Sequence, residues 1–92
     1  MNTPFRLYFQ AGDPNTAAAK AFLQSKGIGV DYVEAGFDPV INRGVSLLLN
    51  SPQIVYPVLI CFMTHGVIAG WNPQQYQLAI NTYLAAVTQA GR

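Results

Sequence analysis

Charge is what this chain lacks most. Asp, Glu, Lys and Arg make up 10% of its ninety-two residues, against about 25% in ordinary soluble domains. Apolar side chains make up 51%, enough to fold, so the surface must be finished with neutral polar or apolar groups. Either the exterior is rich in Gln, Asn and Thr, or one surface is covered by a partner or a second copy. The five basic residues, Arg6, Lys20, Lys26, Arg43 and Arg92, are scattered and the net charge is +1. No electrostatic footprint for nucleic acid is expected from them. Cysteine is scarce as well: Cys61 stands alone, which excludes an internal disulfide and fits a reducing compartment. A long apolar run is missing too. The longest, Ile54 to Met63, is interrupted by Pro57 and falls short of the roughly 20 residues that span a bilayer. Met1-Asn2-Thr3-Pro4 carries no basic-then-apolar leader. These absences give the expectation of one domain over residues 1–92, cytoplasmic, with no membrane or nucleic-acid partner.

What is present is a regular alternation of apolar runs and helix starts. Phe5 to Phe9 reads as a buried strand. Asp13-Pro14-Asn15-Thr16 follows it and opens a helix whose Ala17 to Ser25 stretch has strong helix propensity. Asp13 suits the N-cap and Pro14 the first helical position, where no N–H is needed. Gly27 suits the stop. Ile28 to Glu34 reads as a second strand, and Ala35-Gly36-Phe37 leads to Asp38-Pro39, a second cap-and-proline pair before a helix to about Leu49. Ile41, Val45, Leu48 and Leu49 give that helix an apolar face, and Gly44 weakens it by about 1 kcal/mol relative to alanine. Asn50-Ser51-Pro52 is a breaker. Pro57 to Phe62 is apolar almost throughout, as in a central strand covered on both faces. Met63 to Gly66 turns it back into a short strand, Val67 to Ala69. Asn72-Pro73 is a third cap-and-proline pair. The helix behind it carries Tyr76, Ile80, Tyr83, Leu84 and Val87 at three-to-four spacing. The predicted order is β-α-β-α-β-β-α, a mixed four-stranded sheet with helices on both faces, without repeats or low-complexity segments.

That order, at this length, resembles the glutaredoxins and the thioredoxin fold over nearly the whole chain. Three stretches carry the resemblance. Leu7-Tyr8-Phe9 is followed by Asp-Pro-Asn-Thr where the family has Cys-Pro-Tyr-Cys. Val55-Tyr56-Pro57-Val58 looks like the family's Thr-Val-Pro segment, whose proline is cis. Ile68-Ala69-Gly70-Trp71-Asn72 looks like its Gly-Gly-x-Asp stretch. The resemblance therefore implies a cis bond before Pro57 and a former active-site groove formed by Asp13, Pro14, Asn15, Thr16, Tyr56, Pro57, Gly70, Trp71 and Asn72.

The departures from the family argue against its chemistry. Thiol exchange needs a thiolate sharpened by the positive end of a helix. Asp13 brings a carboxylate there, which caps but does not attack a disulfide, and Thr16 is no resolving thiol. Gln10 replaces a lysine common in the family, and an iron–sulfur role loses its cysteine ligand. Thiol-disulfide oxidoreductase activity and catalytic residues are therefore not expected, nor is a cofactor. Glutathione is the alternative ligand, through the backbone at Tyr56 and through Asn72, opposed by the charge of Asp13. The expected role is a redox-inactive module that binds an unknown protein partner through the groove. A thiol-free glutathione-binding or transferase-like domain and a structural subunit that self-associates are the alternatives. Cys61 is expected to be buried and inert, and His65 to be an exposed turn residue without metal partners. Trp71 is read as either a partner anchor or core or rim packing, and Tyr76 and Tyr83 as core.

Overall fold

The computed structural model describes residues 3–35, 38–51 and 53–90; Gly36 and Phe37 of the expected linker and the breaker residue Pro52 lie outside them. The elements follow the predicted order: β1 (Phe5–Phe9), α1 (Pro14–Ser25), β2 (Val30–Glu34), α2 (Pro39–Leu49), β3 (Val58–Cys61), β4 (Gly66–Ala69) and α3 (Pro73–Ala90).

Each helix starts on the same device. The Asp13 carboxylate accepts from Asn15 N–H at 2.9 Å, and Pro14 follows it. Asp38 accepts from Val40 N–H at 2.9 Å and Ile41 N–H at 3.3 Å. Asn72 Oδ1 accepts from Gln75 N–H at 3.1 Å. In each case a short side chain satisfies a donor the helix cannot satisfy itself, and proline takes a position where no donor is wanted. Because Asp13 caps directly, α1 begins at Pro14, ahead of the alanine run. At its far end Gly27, at φ +68, donates to Gln24 C=O at 3.2 Å. The left-handed conformation is open to glycine at no steric cost.

The sheet order is β2-β1-β3-β4. β1 runs parallel to β2 and antiparallel to β3, and β3 runs antiparallel to β4. Residues alternate between two faces. On one face Phe5, Leu7, Leu59 and Cys61 pack beneath Ala19 and Leu23 of α1 and Tyr76 and Ile80 of α3. On the other, Val58 and Ile60 pack against Val45 of α2, with Ile41, Leu49 and Tyr8 around them.

The strand limits differ from the sequence reading at β2, β3 and β4. β2 starts at Val30 rather than Ile28, and β3 spans Val58–Cys61 rather than Pro57 to Phe62. β4 gains Gly66. The cause is pairing: Phe5, the first residue of β1, faces both Val30 and Cys61, and Gly66 faces Cys61. Two helical positions also depart from expectation. Leu48 does not join the buried face of α2 and stays 52% exposed, because it lies on the flank that overhangs β4. Leu84 and Val87 are exposed as well. An 18-residue helix is about 27 Å long at 1.5 Å per residue. A five-residue strand covers only about 17 Å, so α3 outruns its sheet.

Candidate functional site

Strand direction gathers the candidate residues at one end of the sheet. β1 ends at Phe9, which faces Glu34, the last residue of β2; Tyr8 faces Val58, the first of β3, which in turn faces Ala69, the last of β4. The Asp13 loop, the Tyr56-Pro57 bond and the Gly70 to Asn72 strap therefore all leave from the same edge. There their hydrogen bonds fall into two sets.

The first group surrounds the start of α1. Asp13 N–H donates to Gln10 C=O at 3.2 Å, and Thr16 N–H to Asp13 C=O at 3.0 Å. Thr16 is buried, and its hydroxyl donates to Gln10 C=O at 3.3 Å. Asp13, Pro14 and Thr16 border an open cavity of about 590 Å³, whose other walls include Phe9, Lys20 and Glu34. Sequence reasoning missed those last three. Lys20 Nζ lies 3.7 Å from the centroid of the Phe9 ring and 5.6 Å from that of Tyr32, within cation–π range of both. The available signal was helical spacing: Lys20 is one turn beyond Thr16 on the same face. Glu34 arrives only through the parallel pairing of β1 and β2.

The second group is the strap. The Tyr56-Pro57 bond is cis, as the resemblance implies, and Pro57 is buried. Gly70, at φ +84, donates its N–H to Pro57 C=O at 2.8 Å and Val55 C=O at 3.0 Å. Tyr56 donates its hydroxyl to Asn42 Oδ1 on α2, and burial, with Tyr8 nearby, raises its pKa. Trp71 is partly buried against the core, its ring meeting Phe22 of α1 edge-on at 5.6 Å and Tyr76 of α3 at 5.0 Å. The side chain of Asn72 is engaged in capping α3. None of Tyr56, Pro57, Gly70, Trp71 and Asn72 lines the Asp13 cavity, and neither does Asn15.

The lone thiol is far from both groups along its strand. Cys61 is buried and faces Phe5, at the opposite end of β1 from Asp13. His65 is exposed in the turn before β4. Among the described residues no cluster of His, Cys, Asp or Glu has the makings of a metal site, and no helix is long and apolar enough to cross a membrane.

Among solved structures the chain is similar to a glutaredoxin from Archaeoglobus fulgidus. The TM-score is 0.72 with 16% identity, over 85% of this chain and 86% of that one. No protein-family model matches the chain, and no curated protein matches it. The likeness shows the fold: a glutaredoxin-like thioredoxin fold with a mixed four-stranded sheet.

Proposed function

We infer that the chain is a redox-inactive glutaredoxin-like domain that binds a protein partner at the end of the sheet where α1 begins. One observation carries this reading. At the positive end of α1, where the resembling family holds its attacking sulfur, Asp13 spends its carboxylate on capping and Thr16 is buried against Gln10. A helix end that lowers a thiol pKa has no thiol to act on here, since Cys61 sits at the other end of β1. The exposed residues beside it, Ala11, Gly12, Pro14 and Asn15, form a neutral ledge suited to contact with another chain. A protein is favoured over glutathione because the cavity sets the carboxylates of Asp13 and Glu34 against the single ammonium of Lys20. That field opposes an anionic tripeptide.

Two measurements test the reading. Purified protein should reduce a glutathione mixed disulfide no faster than its Cys61→Ala variant; turnover clearly above that control refutes it. A photoreactive side chain at Asn15 should join the protein to one partner in extracts of the source cells, while the same group at Ser25, at the far end of α1, should not. Equal yields from both positions would remove the groove from the argument.

A further inference from the structure

The few charges of this chain are unevenly placed. Between Arg43 and Arg92 there is no Asp, Glu, Lys or Arg, and that interval holds the end of α2, all of β3 and β4, and α3. β3, β4 and α3 therefore contribute no Asp, Glu, Lys or Arg of their own. β4 is also an edge of the sheet, so Gly66-Val67-Ile68-Ala69 leaves one row of backbone donors and acceptors without a neighbouring strand. Natural edges are usually guarded by charge, proline or a bulge. The opposite edge, β2, carries Asp31 and Glu34; β4 carries no such guard.

Apolar side chains flank this bare edge on both faces. On the α2 face, Leu48, Phe62 and Val67 line a cavity of about 310 Å³, with Phe62 45% and Val67 38% exposed. On the α3 face, Ile68 and Leu78 border a second cavity of about 450 Å³, and Leu78 is 65% exposed. The ion pair of the α2 face, Arg6 with Asp31 at 3.2 Å, bridges β1 and β2, and the Arg6 guanidinium also lies 5.2 Å from the centroid of the Phe62 ring, at the margin of this surface.

We propose that a second copy of the chain docks here, two β4 strands pairing antiparallel about a two-fold axis at Val67, which sets Val67 opposite its own counterpart. A two-fold interface brings a patch against itself, so the patch must be self-complementary. An antiparallel strand edge is complementary to its own rotated image. Leu48, Phe62 and Val67 would meet apolar counterparts, and β4 itself brings no charge to the seam. A strongly charged partner would find only Arg6 at the margin, already paired with Asp31. A standard interface takes about 800 Å² from each partner, about one-seventh of the 5766 Å² surface of this chain. The proposal is independent of the groove reading, because the Asp13 cavity is walled by β1 and β2.

Sedimentation equilibrium from about 1 to 300 µM tests it, since a dimer of this kind follows protomer concentration. The expected result is a rise from 10.0 kDa toward twice that mass, not reduced by about 0.5 M salt, because salt screens charges and this contact is apolar. Val67→Lys, which sets two ammonium groups face to face, should weaken self-association by more than about tenfold with an unchanged far-ultraviolet spectrum. Val40→Lys, on the exposed start of α2, should sediment like the parent chain. Independently of folding effects, Val67→Cys should oxidise to a covalent dimer and Val40→Cys should not. A monomer at every concentration, a dimer that salt dissociates, or a Val67→Lys protein that sediments like the parent would each overturn the proposal.

Discussion

Tyr76 carries a hydroxyl into the least polar part of the molecule. Its ring is fully buried between Phe22 and Trp71, and its Oη has no hydrogen-bond partner among the described residues. Burial alone holds that hydroxyl well above the ordinary tyrosine range. An unpaired buried donor costs about 1–3 kcal/mol, so Tyr76→Phe should raise the unfolding free energy by about 1 kcal/mol in denaturant titrations. The pH dependence has a definite sign. The unfolded chain loses the tyrosine proton near pH 10 while the native chain retains it, so native stability is full below pH 10 and falls as pH rises beyond it. Tyr32 and Tyr56, also raised by burial, add to the same trend. Melting curves between pH 9 and pH 11 should therefore slope downward, less steeply in Tyr76→Phe; an equal slope in both proteins would refute the assignment.

At the scale of the element, α2 contains a correctable weakness. Gly44 lies exposed in its interior, and a Cβ added there would meet nothing within 4 Å. Gly44→Ala should stabilise the protein by about 0.5–1 kcal/mol, a rise in melting temperature of roughly 2–8 °C for a domain this size. The helix starts were legible in the sequence because capping is local: Asp13, Asp38 and Asn72 each bond within their own first turn. The cis bond before Pro57 was legible only through the family resemblance, since sequence preference favours trans. Strand limits were not legible, because Phe5 decides where β2 and β3 stop pairing and nothing near Ile28 or Phe62 records that. Nor was the exposure of Leu84 and Val87, whose spacing is that of a buried stripe but whose sheet ends beneath Tyr83, in edge contact with Phe5 at 5.2 Å. The candidate site shows the same division. Asp13, Pro14 and Thr16 could be placed from their motif, whereas Glu34 reaches their cavity only because β1 and β2 run parallel.

Over the whole molecule, charge divides the structure more sharply than the elements do. The part built on β1, α1 and β2 carries most of the ionised groups, and the part built on β3, β4 and α3 carries none before Arg92. The two proposed surfaces fall on opposite sides of that division, so one can be altered without touching the other. Cys61 belongs to the neutral part, on an inner strand, and is 1% exposed. As the lone thiol, it serves as a built-in clock. A maleimide can modify it only when the strands around it come apart, so the reaction rate in native buffer, divided by the rate in denaturant, should equal the equilibrium constant for global unfolding. Modification faster than that ratio allows would mean that the hairpin peels open while the remainder stays folded.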